Sequence, residues 1–391
     1  MNAIARSDFV LGRWHLDGVL LSLMLLILGI GLTALASASV TLADRDLGQP
    51  FHYLFRQLFA VGLGVGLMAV ALVVPTRVWE QMSFVLLLAA IALLVLVLVP
   101  GLGQTVNGAT RWLRVGVINL QVSEPARLLM IMYVAGYMVR RQSEVATRFT
   151  GFLKPMLCVA VCCVLLLAQP DFGAATVLVI TTVAMLFIGG ARLRDFLLTG
   201  LVAGGALTML ALASPYRVSR LTSFMDPWAD PLDAGFQLTQ SLIAIGRGEW
   251  FGVGLGSSVQ KLFYLPEAHT DFVFAVLAEE LGLIGSVLTI LLFAALVMRC
   301  FQLGLACGRA EMPYQAYLCV GIGFWLGLQA FINIGVNMGL LPTKGLTLPL
   351  VSYGRSSLLV TLGALGLLLR IHHELLTADA RPRGARRRAV Q

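Results

Sequence analysis

The sequence predicts an all-α, polytopic integral membrane protein with ten transmembrane helices and a large extracytoplasmic loop between helices 7 and 8. Three observations lead there. Of 391 residues 58% are hydrophobic and 12% charged, and the mean hydropathy is +0.87, which excludes both an ordinary globular chain and a disordered one. Apolar runs of about 20 residues recur along the chain, the length that crosses a hydrocarbon core of about 30 Å at about 1.5 Å per helical residue. One long segment, Tyr216–Gly282, is polar instead, and it ends inside the next apolar run.

The first span, Leu16–Val40, follows Arg6 and Arg13. Ala34-Leu35-Ala36-Ser37 inside it resembles a small-residue cleavage site, but the apolar run exceeds the about 7–15 residues of a signal-peptide core, so it reads as a retained signal-anchor. Phe55–Val74, Met82–Val99 and Ala126–Val139 follow. Met156–Ala168 and Ala174–Gly189 are short, and Gln169-Pro170-Asp171-Phe172-Gly173 between them is a helix break of the kind tolerated against protein or water. A shallow turn near the outer surface is expected there. Phe196–Ala213 leads into the polar loop, 214–271, and Phe272–Phe301, Tyr317–Asn337 and Ser356–Ile371 complete the set. Residues 1–391 read as one membrane domain, with 1–15 a cytoplasmic amino terminus and 372–391 a basic cytoplasmic tail.

Orientation follows from the loop cations. Seventeen Lys and Arg residues fall on the side of the amino terminus and eleven on the other, most of the eleven in long loops or near span ends. The positive-inside rule then puts both termini in the cytoplasm and Tyr216–Thr270 outside. Beside a membrane helix the run Arg381–Arg388 reads as a topology determinant or an anchor to anionic headgroups, and nucleic acid is not an expected partner.

Missing motifs narrow the chemistry. Gly252-Val253-Gly254-Leu255-Gly256 departs from G-x-G-x-x-G because position 257 is Ser, and no Walker loop is present. The six cysteines avoid the outer loops, so no disulfide framework is implied, and the five histidines show no metal-ligand spacing. No cofactor and no metal site is expected; assistance by a divalent cation is not readable from the sequence.

What remains is a set of charged groups at the outer end of the spans. Asp271, Glu279 and Glu280 lie where the polar loop re-enters the membrane, and ionisable groups at that depth are costly enough to mark function. Asp271 is read as the chemical centre. Glu124 and Arg127 share one face of a helix starting near Ser123, either as a local ion pair that lowers insertion cost or as part of a polar cavity with Lys344 in Pro342-Thr343-Lys344-Gly345.

These residues carry a resemblance. Asp226-Pro227-Trp228-Ala229-Asp230-Pro231, Gln237-Leu238-Thr239-Gln240-Ser241, Gly246-Arg247-Gly248, Leu265-Pro266-Glu267-Ala268-His269-Thr270-Asp271-Phe272, Ala278-Glu279-Glu280-Leu281-Gly282 and Thr343-Lys344-Gly345-Leu346-Thr347-Leu348-Pro349 resemble the SEDS family of peptidoglycan polymerases over nearly the whole chain, and its septal branch more than its elongation branch. The resemblance implies a ten-helix glycosyltransferase of the bacterial inner membrane that polymerises lipid II at the outer face during septal cell-wall synthesis and cell division. It also implies a class B penicillin-binding (FtsI-like) transpeptidase and other divisome membrane proteins as partners, and an essential carboxylate at Asp271. The chain departs from the family at Val122, where proline is usual, and at Arg355, where glycine is usual.

The chemistry fits this inventory independently. Cleaving an ordinary glycoside needs an acid to protonate a poor leaving group, whereas a lipid diphosphate leaves without a proton and needs only positive charge. Asp271 would accept the proton of the acceptor hydroxyl while Arg111, Arg127, Lys344 and Arg355 neutralise diphosphate. Other readings stand beside these. Asp271 could cap the helix it opens. Glu279 and Glu280, about 12–13 Å further along that helix, read as structural ion-pair partners, and Asp171 as a turn-former. Phe236, Leu242, Ile243 and Ile245 with Trp250 and Phe251 suit a segment that lies on the membrane or guides the lipid tail. A lipid II flippase is the competing class, because broken helices and intramembrane charges also suit a transporter. A scaffold of the division machinery would leave Glu124, Arg127, Asp271 and Lys344 without a purpose. Gly282, Gly285, Gly321, Gly323 and Gly327 are expected to let a partner helix approach closely.

Overall fold

The computed structural model describes residues 8–379 apart from 107, 117, 213–223, 232, 234, 263 and 344. Lys344, the tail run Arg381–Arg388 and the opening of the polar loop at Tyr216 therefore lie outside the described residues.

The helices are α1 (Gly18–Leu47), α2 (His52–Val73), α3 (Thr76–Gln81), α4 (Ser83–Leu96), α5 (Ser123–Thr147), α6 (Phe149–Ala168), α7 (Phe172–Ile188), α8 (Leu193–Leu212), α9 (Phe236–Arg247), α10 (Val273–Arg309), α11 (Pro313–Asn337) and α12 (Arg355–Asp379). Every expected span falls on one of them, with α3 and α9 as additions. Among the described residues α1, α2, α6, α10, α11 and α12 are long and apolar enough to cross a membrane, and α4 and α7 are shorter apolar helices. The protein is an all-α, polytopic membrane protein. Its helices run past the apolar windows, α1 to Leu47 and α10 to Arg309, because the backbone ladder continues where the lipid-like side chains stop.

Two small sheets were not expected. A hairpin of β1 (Asp8–Leu11) and β2 (Trp14–Asp17) precedes α1, in a stretch for which no element was expected. A meander of β3 (Gly103–Val106), β4 (Ala109–Val115) and β5 (Ile118–Gln121) fills the connection before α5. Strands this short carry little pattern of their own and rely on packing. The hairpin is tied to α12 where the His15 N–H donates to His373 Nδ1 at 3.2 Å. The meander is tied to α12 through Ser356 Oγ, which donates to the Asn119 carbonyl at 3.1 Å and accepts from the Gln121 N–H at 2.9 Å.

Lipid gives helices no hydrophobic reason to associate, so the bundle depends on close packing and interhelical polar bonds. At Gly366 the α12 backbone lies on α2: a Cβ there would come within 2.5 Å of the Met68 carbonyl oxygen. Helix α10 packs on α11 and α1, and α11 is flanked by α5 and α7. At the end that carries both described termini, Asp17 caps α1 by accepting the Val19 and Leu20 N–H groups at 3.1 Å and also accepts from Arg299 Nε at 2.7 Å. The functional candidates gather at the opposite end, where α10 and α12 begin.

Candidate active site

Asp271 is half-buried and stands two residues before the first helical residue of α10. The N-cap position belongs to Phe272, one residue later than the capping reading would need. The backbone carbonyl of Asp271 accepts two bonds from α11, from Asn333 Nδ2 at 2.9 Å and Asn337 Nδ2 at 3.0 Å. Its carboxylate faces Gly345, where a Cβ would lie 3.0 Å from Oδ2. Just upstream, His269 packs between Tyr53 and Tyr353, with ring centroids 5.0 and 5.7 Å away. Burial holds the His269 imidazole below its ordinary value, against the opposing pull of Glu267.

The α11 amides extend beyond Asp271. Asn333 Nδ2 also donates to the Leu346 carbonyl at 2.6 Å, and Gln329 Nε2 donates to the Thr347 carbonyl at 2.9 Å. Gln329 Oε1 accepts from Trp325 Nε1 at 2.8 Å and from an Arg127 terminal nitrogen at 2.7 Å. Trp325, Gln329, Asn333 and Asn337 are spaced four apart and therefore lie along one helix face. This polar stripe joins α5, the start of α10 and the 345–347 segment. The sequence reading missed it, although three carboxamides at a four-residue period in an otherwise apolar span are a visible signal.

Glu124 and Arg127 are brought together as an ion pair at 3.4 Å, buried on α5 with side chains 4% and 2% exposed. Arg127 also lies over the Trp325 ring at 5.7 Å, and its Nε and second terminal nitrogen have no hydrogen-bond partner among the described residues. Arg111 lies elsewhere: Nε donates to the Gln169 carbonyl at 3.0 Å and a terminal nitrogen to the Pro170 carbonyl, closing the break between α6 and α7. Asp171 caps α7 by accepting the Ala174 N–H at 3.1 Å and accepts from Gln121 Nε2 at 3.3 Å. Within that break, expected as a shallow turn near the outer surface, Gln169 and Asp171 are buried while Pro170 is exposed, and Arg111 and Gln121 of the meander bond to it. Arg355 is half-buried as the first residue of α12, and no hydrogen bond or ion pair joins it to another described residue.

Glu279 and Glu280 form a separate cluster. Glu279 accepts from Ser258 Oγ, from the Val259 N–H at 3.1 Å and from Arg247 at 3.3 Å. Glu280 accepts from Ser37 Oγ at 2.6 Å and Lys261 Nζ at 3.0 Å, with Lys261 and Glu280 both nearly fully buried. Two residues on, α10 is broken at Gly282 (φ 66°, ψ −162°). The loop after α9 fills the break: the Leu283 N–H donates to the Glu249 carbonyl at 2.8 Å, and the Val253 and Gly254 N–H groups donate to the Glu279 and Glu280 carbonyls at 3.0 and 3.1 Å. Only a residue without Cβ fits, since one at Gly282 would lie 2.3 Å from the Gly252 nitrogen. Helix α9 itself buries Leu238, Thr239, Ser241 and Ala244, and Ser241 Oγ donates to the Asn337 carbonyl at 2.8 Å. The polar loop is thus packed onto the bundle. Lys261, counted only among the loop cations, and Ser258 were not expected in this cluster, because nothing local marks a loop residue that reaches back to a helix.

Among the described residues no cluster of three or more His, Cys, Asp or Glu is placed to hold a metal ion. The arrangement offers one half-buried carboxylate on a fixed backbone facing Gly345.

A polytopic helical bundle in which a polar helix stripe holds a half-buried carboxylate at one end defines a membrane protein with its candidate site at that end. The chain belongs to the FtsW/RodA/SpoVE family of cell cycle proteins, whose family model matches residues 18–376. It is 57% identical over 358 residues to the probable peptidoglycan glycosyltransferase FtsW of Thioalkalivibrio sulfidiphilus, covering 91% of this chain and 89% of that protein. It is 53% identical over 361 residues to the protein of the same description from Coxiella burnetii, covering 92% and 97%. A chain from a solved peptidoglycan synthase complex, described as coordinating polymerization and crosslinking, superposes with a TM-score of 0.76 at 33% identity over 92% of this chain and 98% of that one. The crystal structure of the Thermus thermophilus rod shape determining protein RodA gives 0.69 at 31% identity, covering 92% and 97%.

Proposed function

We propose that this protein is a peptidoglycan glycosyltransferase that polymerises lipid II at the outer face of the bacterial cytoplasmic membrane during septal wall synthesis. The observation that carries the reading is Asp271: a half-buried carboxylate whose backbone is held by two amides and whose Oδ2 faces Gly345. In the proposed reaction the acceptor sugar hydroxyl attacks the anomeric carbon of the donor, the bond to the lipid diphosphate breaks, and Asp271 takes the hydroxyl proton. The departing diphosphate carries the electron pair away as an anion, so it needs cations rather than an acid. Arg355 and the unpartnered nitrogens of Arg127 supply donors for it, together with Lys344, while Arg111 holds the α6–α7 break and Glu124 keeps Arg127 in place. Glu279, Glu280 and Asp171 support the fold around the site.

The same reading gives ten crossings with both termini in the cytoplasm. It also gives a partner, a penicillin-binding transpeptidase held through its own membrane helix, in keeping with the synthase complex that the chain resembles. Between α10 and α11 an apolar groove of about 470 Å³ is lined by Phe293, Val297, Phe331, Ile334 and Met338, with Gly327 at its floor. Of the glycines expected to admit a partner, Gly321 packs on Ile131 and Met185, Gly323 on Cys300 and Phe301, and Gly282 on the backbone of the loop after α9, while Gly327 meets Val297 and also lines the groove. Incubating the purified protein and its transpeptidase with lipid II tests the function: glycan chains support it. Translocation of lipid II across vesicle membranes without glycan would favour the flippase reading instead.

A further inference from the structure

We propose that Asn333 is a positioning residue, whose side-chain amide sets the separation between the Asp271 carboxylate and the chain at Gly345 opposite it. The proposal rests on the reading of Asp271 as the base. Asn333 is 1% exposed, and its single Nδ2 bridges two carbonyls from different parts of the chain, Asp271 at 2.9 Å and Leu346 at 2.6 Å. Those carbonyls belong to the two segments that face each other at Oδ2, and in the proposed reaction the acceptor hydroxyl enters between them. The gap has little slack, because even a methyl group on Gly345 would stand 3.0 Å from that oxygen.

Asn337, one turn away, has a different task. It spends Oδ1 on the Ala275 N–H at 3.1 Å, its carbonyl on Ser241 Oγ and Nδ2 on both the Asp271 and Asn333 carbonyls, which locks α9, α10 and α11 together. Among these amides Asn333 is the one that joins Asp271 to the 345–347 segment. In a low-dielectric interior such bonds are directional and their loss is expensive. Displacing a reacting group by about 1 Å can cost about 10²-fold in rate. Asn333 bonds backbone carbonyls and not the carboxylate, so its effect reaches catalysis through the placement of Asp271 and of the 345–347 segment.

Two variants perturb the same gap from opposite sides. Asn333→Asp keeps the shape but puts an acceptor where two carbonyls need a donor, and Gly345→Ala inserts a methyl group beside Oδ2. Each is expected to lower kcat for lipid II polymerisation by about 10–100-fold with a smaller change in KM, since neither replaces a group assigned to diphosphate binding. A second readout does not depend on catalysis. The thiol of the Asp271→Cys variant is titrated with a small alkylating reagent with and without Asn333→Asp, and its alkylation rate should change by several-fold when Asn333 is altered. Parental kcat in both variants overturns the proposal, and so does a fall in kcat with an unchanged thiol rate, which would report general damage. Should Asn333→Asp not insert, Gly345→Ala carries both measurements. Activity in Asp271→Asn would refute the base reading, whereas the thiol shift would still decide the positioning.

Discussion

Replacing Gly282 by alanine should unseat the loop after α9 from α10. The residue holds φ 66° and ψ −162°, a region essentially limited to glycine, and a Cβ costs about 1–3 kcal/mol there from backbone strain. The added methyl would also lie 2.3 Å from the Gly252 nitrogen and 2.7 Å from both the Gly248 oxygen and the Phe251 nitrogen. These are backbone atoms, so the loop has to retreat as a unit. Retreat threatens the four bonds from the Leu283, Ile284, Val253 and Gly254 N–H groups, at 2.8–3.2 Å. Losing two of them at about 1 kcal/mol each brings the total to roughly 3–5 kcal/mol. Gly66→Ala is the matched control, because nothing lies within 4 Å of its Cβ position, and it should be neutral or stabilise by up to about 1 kcal/mol. Thermal unfolding in detergent compares the two, and limited proteolysis between Gly248 and Lys261 reports the loop directly. An unfolding midpoint and a cleavage rate for Gly282→Ala equal to those of Gly66→Ala would refute the reasoning.

Glu124→Gln removes the charge that neutralises Arg127 in a fully buried pair, and the uncompensated cation should cost about 3–5 kcal/mol, read as a lowered unfolding midpoint; an unchanged midpoint would mean that Gln329 alone satisfies Arg127. His269, with its imidazole held below the ordinary 6.5, stays neutral in the folded protein while the unfolded chain takes up a proton, so stability is full above that value and is lost as pH falls through it toward the folded one. His269→Phe should abolish that part of the acid sensitivity in unfolding scans from neutral to mildly acid pH. Arg355→Gly should raise KM for lipid II, since Arg355 has no described protein partner and would meet diphosphate; an unchanged KM would give it a structural role.

The helices were legible because lipid imposes the same apolar length on every span, so each expected span from Leu16–Val40 to Ser356–Ile371 finds its helix. Their ends were not, because hydrogen bonding continues past the apolar slab in α1 and α10. The two small sheets escaped because strands of four to seven residues carry no period long enough to read and are held by Ser356 and His373 from a distant helix. The Glu124–Arg127 pair follows from i,i+3 spacing alone, and the structure places both on α5. What Arg111 touches does not follow: its partners are carbonyls of a helix break far away in sequence, and a cation in an outer loop reads equally well as a ligand. Likewise Ser37 and Lys261 meet Glu280 only because the loop folds back onto the kink at Gly282. The stripe of Gln329, Asn333 and Asn337 was readable and was passed over, since carboxamides carry no charge to draw the eye.

The most direct measurement is polymerisation of lipid II by purified Asp271→Asn in complex with its transpeptidase. Asparagine keeps the size of the side chain and leaves the backbone bonds from Asn333 and Asn337 in place, but it cannot take the proton. The account predicts a variant that inserts, unfolds and co-purifies like the parent while its rate of glycan synthesis falls by about 10²–10⁴. Glycan synthesis by Asp271→Asn at close to the parental rate would contradict it.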